Sequence, residues 1–393
     1  MRILFLTNTY PDFESSYRGI FIKKMATLLQ KDGYQISVVT PKIYRESQYH
    51  ENQNGIHIYR FPFFAGNKLL IEHEKVPFVR MILYYFSGLL TTTYVILRRK
   101  CQLIHVHWVI PTGLIGFLVS LFLKRTFIVT IHGTDLRMAL KKRGILKRIF
   151  ISICRRASHI HCVSEVQKKE IESFGLENKK ISVFPMGIEY PFIESGEKKK
   201  EDEENRSFVI LSNRNLLPIY NVSLLIKAIP IILKEEPQIK FIIAGEGSER
   251  TQLEKEIYKL NLNSSVKFIG RVPHKDMPEL LAQSHIYVST SLYDGTSVSL
   301  LEGMASGCFP VVSDIPPNRE WIRDGENGFL FPVNDESILA KKIISAIRNR
   351  TIREKSRKEN FKIIREKALW PVNIQKIKAI YESQLNRKHS IGS

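Results

Sequence analysis

The sequence predicts an α/β protein built from two doubly wound domains, and three observations lead there. Short, near-continuous apolar runs rich in β-branched residues alternate with helical patterns along the chain. The alternation stops once, in a densely charged stretch after residue 195, and then restarts. The chain has 393 residues, ample for more than one core. Apolar strands joined by helices imply parallel sheets covered on both faces.

In the first half the strands read RILFLT (2–7), QISVVT (35–40), LIHVH (103–107), FIVTI (127–131), HIHCV (159–163) and ISVF (181–184). Helical segments separate most of them, among them IFIKKMATLLQK (20–31), GLIGFLVSLFL (113–123) and SEVQKKEIESF (164–174). SGEKKKEDEENR, starting at 195, has almost no apolar residues and reads as an exposed linker. FVILS (208–212), KFIIA (240–244), VKFI (266–269), IYVS (286–289) and FPVV (309–312) are the strands of the second half. Trp370-Pro371 breaks the basic helical stretch that follows, and a last helix is expected from about Asn373. The expected domains are residues 1–190, a linker over 191–206, residues 207–370, and a terminal helix and tail over 371–393. Sheets of this kind bind ligands outside the carboxyl ends of their strands. Chemistry is therefore sought in the loops after strands, in a cleft between two facing domains.

Lys and Arg number 59 against 39 Asp and Glu, a net charge of +20. That field suits anionic partners: nucleic acid, acidic lipid or phosphorylated small molecules. Nucleic acid is disfavoured, because no helix-turn-helix, zinc finger or aromatic RNA platform is present. The four cysteines form no CxxC pair and read as reduced thiols of a cytosolic protein. MRILFLTNTY is too short in its apolar run for a secretory signal. Two uncharged stretches, 81–97 and 101–123, are tested as membrane spans. The first reads as a buried helix and the second as a strand and a helix parted by Pro-Thr-Gly, so no transmembrane helix is expected. RMALKKRGILKRIFISICRR (137–156) sets Lys141, Arg148 and Arg155 beside Ile145, Ile149 and Ile153. It reads either as a basic helix lying on anionic lipid or as a core-facing helix with a solvated basic side.

Five loops could carry chemistry. In SLYDGTSVSLLEGMASG (291–307) a helix is expected from about Thr296. Its first amides lack internal partners, so a phosphate could sit on Thr296, Ser297 and Val298; equally, Asp294 and Ser297 could simply cap the helix. Asp294 and Glu302, eight positions apart, would be about 12 Å apart along a helix. That is longer than the ~5–9.5 Å of paired glycosidase carboxylates and favours two separate contacts along an elongated ligand. HGTD (132–135) places His132 and Asp135 around a Gly just past a strand, as a site or as a satisfied His and a cap. Gly19 introduces a helix after a long loop, without a GxGxxG pattern. Arg214 ends a strand and suits a diphosphate, with a surface ion pair as the alternative. In IIAGEGSER (242–250), around Glu246, a ring or base could approach the glycines, or the turn could simply be tight. No Walker sequence, HExxH or Asp-x-Asp after a strand occurs, so a divalent-cation site is not expected.

Eight stretches stand in one order: Gly19, HGTD, FPMGIE (184–189), Arg214, AGEGSER (244–250), FIGRVPHKDM (268–277), DGTSVSLLEGMASGCFPVV (294–312) and DGENGFLF (324–331). In that order they resemble the retaining GT-B glycosyltransferases of family four. The resemblance implies two Rossmann-like domains facing across a cleft, with the last helix crossing back to the first. It implies a hexosyltransferase (EC 2.4) that moves a sugar from a UDP- or GDP-sugar to a saccharide or lipid-linked acceptor, in bacterial-type polysaccharide or glycolipid assembly. The first domain would take the acceptor and the second the donor. No cofactor or metal is implied. The site would be cytoplasmic, with peripheral attachment to the inner face of the plasma membrane.

By the same resemblance, Glu302 would hold the ribose, Asp294 the donor-sugar hydroxyls, Arg214 the diphosphate and His132 the donor sugar near the reacting centre. Gly19 would lend a backbone amide near the phosphates or acceptor. Two positions depart from the pattern. Asp294 stands where a Glu is expected, one methylene shorter, and Tyr220 stands where the phosphate clamp usually has Lys. Tyr is uncharged at neutral pH. The alternative these raise is a catalytically weakened relative that binds nucleotide sugar or serves as a scaffold. Family branches similar to RNLLPIYNV with DGTSVSLLE favour an active enzyme.

Overall fold

The structure, a computed structural model, describes residues 1–13, 16, 18–63, 66–67, 78–141, 144–177, 179–199 and 207–391. It divides into two compact units. The first is Met1–Phe184 with Asn373–Ser393, and the second is Pro185–Val372.

The first unit holds strands β1 (Arg2–Leu6), β2 (Gln35–Pro41), β3 (His50–Gln53), β4 (Ile56–Phe61), β5 (Leu103–His107), β6 (Thr126–Ile131), β7 (His159–Cys162) and β8 (Ile181–Val183). Their order in the sheet is β3-β4-β2-β1-β5-β6-β7-β8. β3 runs antiparallel to β4, and the other neighbours are parallel. Every residue of β5 is buried, as strands covered on both faces require. β3 and β4 fall in the stretch for which the sequence suggested nothing. They form a hairpin on Asn54-Gly55, both at positive φ (50° and 89°), the dipeptide that a tight two-residue turn demands.

β9 (Val209–Ser212), β10 (Lys240–Ala244), β11 (Val266–Gly270), β12 (Ile286–Ser289), β13 (Phe309–Ser313) and β14 (Phe329–Phe331) make the second sheet, in the order β11-β10-β9-β12-β13-β14. All its neighbours are parallel. The order reverses between β9 and β12, as it does between β1 and β5 in the first sheet. Loops leaving the carboxyl ends of strands at such a reversal diverge and open a crevice.

Several expectations need correction. The stretch expected as a linker from 191 begins as helix Tyr190–Lys198, which buries Phe192 and Ile193; residues 200–206 lie outside the described residues. The units part at Phe184 and Val372 rather than at 190 and 370. The terminal helix starts at Trp370, not Asn373, and runs to Ile391. Pro371 falls in its first turn, where no intrahelical N–H is needed. The segment 137–156 is split at Gly144 (φ 112°) into helices Thr134–Lys141 and Ile145–Arg156. The second buries Phe150, Ile153 and Cys154 and packs Ile149 on the core, while Ile145 stays exposed, so most of its apolar side faces the core. The Lys141 side chain, Lys142 and Arg143 lie outside the described residues. The stretch 81–97, expected to be buried, belongs to helix Phe78–Arg99, of which one side alone is packed among the described residues.

Candidate active site

In the second unit the loops after β9 and β12, the strands at the reversal, carry Arg214 and Asp294. The structure brings the two together. Arg214 Nη2 donates to Asp294 Oδ2 at 2.6 Å, and Nη1 donates to Ser297 Oγ at 2.8 Å and Ser299 Oγ at 2.5 Å. The guanidinium lies 4.2 Å from the ring centroid of Tyr220. Burial opposes the charge on Arg214, but Asp294, with Tyr220 and Tyr287, more than offsets it and holds the group protonated. Arg214 is therefore a buried, fixed cation rather than half of a surface ion pair. The Tyr220 ring supplies the face on which this cation rests. Thr290 Oγ1 donates to the Tyr220 carbonyl at 2.9 Å and Leu292 N to the Ile219 carbonyl at 2.9 Å, which ties the two loops together.

The helix after β12 is Val298–Ala305. Ser297 caps it by accepting from Leu300 N at 3.2 Å, so the helix begins two residues later than expected. Asp294 lies before the helix and accepts from Gly295 N at 2.9 Å. Thr296 and Val298 are half-buried at the same turn. Glu302 is buried on the second turn, with Oε1 at 2.9 Å from His274 Nε2. His274 also stands 3.8 Å from Glu189.

Glu246, after β10, accepts from Arg250 Nη1 at 2.8 Å. The glycines beside it have a structural purpose. A Cβ on Gly245 would lie 2.3 Å from the Arg214 carbonyl oxygen, and one on Gly247 would lie 2.2 Å from that of Leu216. The AGEG turn is glycine-rich because the loop bearing Arg214 lies directly against it.

In the first unit His132 follows β6 and is half-buried. Its Nε2 is 3.2 Å from His107 Nδ1, and its ring packs on Trp108 at 4.4 Å and Phe21 at 5.1 Å. Burial, with His107 and His161 nearby, holds its pKa well below the usual imidazole range. His107 Nε2 is buried without a hydrogen-bond partner among the described residues. His107 Nδ1 and His132 Nε2 share one hydrogen bond, in which either ring is the donor according to its tautomer. Asp135 accepts from Val109 N at 2.7 Å and Gly133 N at 3.1 Å, joining the loops after β5 and β6. Burial pushes its pKa up to about 6, against the pull of those backbone donors. Trp108 adopts φ 68°, a costly conformation for an aromatic residue, and so marks a locally strained site. Gly19 (φ 67°) caps helix Ile20–Lys31, and a Cβ there would meet the Thr9 carbonyl oxygen at 2.6 Å. Phe21, two positions on, links this loop to His132.

Two family models match in succession: "Glycosyltransferase Family 4" over residues 19–190 and "Glycosyl transferases group 1" over residues 194–363. The chain belongs to the family-four glycosyltransferases. An uncharacterized glycosyltransferase of Methanocaldococcus jannaschii is 26% identical over 375 residues, 91% of this chain and 92% of its own. The alpha-monoglucosyldiacylglycerol synthase of Streptococcus pneumoniae is 23% identical over 363 residues, 88% and 78% of the two chains. Among solved structures, sucrose-phosphate synthase from Thermosynechococcus elongatus superposes with a TM-score of 0.81 at 14% identity, covering 98% of this chain and 100% of its own. Anabaena HepE in complex with UDP-glucose does so with 0.75 at 17%, covering 98% and 100%. The glycosyltransferase thus has the GT-B fold of two Rossmann-like units.

His107 and Trp108 beside His132 in the first unit, and Ser299 and His274 beside Arg214 and Glu302 in the second, were not singled out from the sequence of the glycosyltransferase. His107 had a signal, a polar residue in an all-apolar strand pattern. Ser299 had none, because its contact depends on where Arg214 reaches. Among the described residues no group of three or more His, Cys, Asp or Glu could hold a metal ion.

Proposed function

We propose that this glycosyltransferase moves a hexose from a UDP- or GDP-sugar to a saccharide or lipid-linked acceptor, with retention of configuration, at the cytoplasmic face of a membrane. The observation that carries the donor reading is Arg214, a buried and permanently charged guanidinium beside the capped start of helix Val298–Ala305. UDP-glucose in the HepE complex and diacylglycerol in the name of the S. pneumoniae relative support the donor and acceptor classes.

The chemistry follows from the charges. Departure of a nucleoside diphosphate builds negative charge on a phosphate oxygen. Arg214 and the amides of Thr296, Ser297 and Val298 would stabilise it where it forms. Asp294 accepts from Nη2 of Arg214. A phosphate arriving at the guanidinium would repel that carboxylate and turn it towards the sugar hydroxyls, so donor entry would exchange one anion on Arg214 for another. Glu302 would accept from the ribose hydroxyls, with Glu246 beside the same ligand. His132 would contact the donor sugar near the reacting centre, and Gly19 would leave an amide near the phosphates or acceptor. Charge neutralisation is assigned to Arg214 and the helix start, and the reading needs no metal or cofactor.

Arg214→Ala should lower kcat/KM for the nucleotide sugar by about 10²–10³-fold. Arg214→Lys, which keeps a cation against Asp294, separates lost chemistry from lost folding. Near wild-type turnover in a folded Arg214→Ala variant would refute the assignment. The anomeric configuration of the product, read by NMR, tests retention.

A further inference from the structure

Helix Phe78–Arg99 carries an apolar stripe that the fold leaves uncovered among the described residues. Val79, Ile82, Phe86, Leu90, Tyr94 and Leu97 are 53–79% exposed. Their spacing puts them on one side of the helix, over about 27 Å. The opposite side is packed: Tyr84, Thr92, Val95 and Ile96 are fully buried. At Gly88 a Cβ would lie 2.6 Å from Ile115 Cδ1, so the neighbouring helix Thr112–Phe122 sits close against that side. The helix is long and apolar enough to cross a bilayer, but a third of its most apolar window is buried in the protein. It is a surface helix of a folded unit, not a span.

Its charges say what covers the stripe. The helix contains no Asp or Glu. Arg80 and Arg98 are exposed and stand eighteen positions apart, about five turns, so both flank the same edge. Arg99 and Lys100 follow. A two-fold contact between copies would bring Arg80 of one against Arg98 of the other with no carboxylate on either helix between them. An anionic surface would meet the same cations favourably.

We infer that the exposed side of helix Phe78–Arg99 docks in the headgroup–acyl boundary of an anionic bilayer, with Phe86 and Leu90 at its centre and Arg80 and Arg98 on the lipid phosphates. The inference deepens the proposed function by assigning the surface at which a lipid-linked acceptor is met. It rests on that reading only for the reason to be at a membrane.

Flotation with phosphatidylcholine vesicles, with and without phosphatidylglycerol, tests it. The full chain should float with the anionic vesicles, and less so in high salt. Ile82→Ser/Phe86→Ser/Leu90→Ser should lower partitioning about tenfold or more. It should also keep the wild-type melting temperature and the binding of UDP-sugar, so failure of docking and failure of the donor reading are told apart. Flotation of the triple variant like wild type overturns the inference. So does a wild-type dimer that the triple variant dissolves without any vesicle binding. Should the triple variant not fold, Phe86→Trp provides a direct reading. Its emission should shift blue and be quenched by brominated lipid on anionic vesicles, and unchanged emission overturns the inference.

Discussion

At the scale of single residues, the first unit is set apart by neutral histidines inside it. His105 Nδ1 lies 2.6 Å from Tyr381 Oη and Nε2 lies 2.7 Å from Thr130 Oγ1. Thr130 Oγ1 is in turn 3.1 Å from His161 Nδ1, and His161 Nε2 takes the Phe184 carbonyl at 2.8 Å. Burial pushes the pKa of His161 down to about 3, and those of His105 and His107 well below the ordinary 6.5. The unfolded chain binds these protons at a higher pH than the folded chain does, so stability rises with pH across the interval between the two values. It is fully present above about 6.5 and is lost as pH falls from there. Asp135 acts in the opposite sense between about 6 and its ordinary 3.8, but it is one group against four, His132 included. Thermal unfolding from pH 7.5 to 5 should show the transition of the first unit falling steeply while that of the second moves less. Equal shifts in both would contradict the buried network.

At the scale of elements, glycines that resemble ligand contacts turn out to hold loops in place. Gly247→Ala would push a Cβ into the Leu216 backbone, which carries no flexible end to give way. The variant should lose about 2–3 kcal/mol of stability. Its KM for donor should rise more than its kcat falls, because the displaced loop bears Arg214. A melting temperature and KM equal to wild type would show that the loop has room to move. The same comparison explains what was legible in the sequence. The apolar strands and their following loops were, because strand period and burial are local properties; so were Arg214, Asp294 and His132 as residues at strand ends. The Arg214–Asp294 pair was not, since it depends on strand order, which brings β9 beside β12 across more than seventy residues of intervening chain. The hairpin β3–β4 was missed although Asn54-Gly55 announced it, because HENQ is too polar to read as a strand. The uncovered side of helix Phe78–Arg99 was missed because apolar composition alone does not reveal which side lacks a neighbour.

At the scale of the whole molecule, the chain leaves the first unit after Phe184 and rejoins it at Asn373. Near those crossings Ile188 pairs with Leu369, and the Trp370 side chain occupies the place of a Cβ on Gly187. Beyond Val372 the terminal helix gives the first unit Ile374, Ile377 and Tyr381, all nearly or fully buried. Lys378 Nζ adds an ion pair to Asp32 at 2.9 Å. Truncation after Val372 should therefore abolish or sharply lower the melting transition of the first unit and leave that of the second near its original temperature. Calorimetry with limited proteolysis reads both, and an unaffected first transition would mean that the helix is dispensable.

The same route through the two units bears on synthesis. Domains usually fold in the order in which they emerge from the ribosome. Here the strands of the first unit emerge first, yet His105 waits for Tyr381, which is made after the whole of the second unit. The second unit, one unbroken segment, can close while that wait continues. In this protein the half that is started first is finished last.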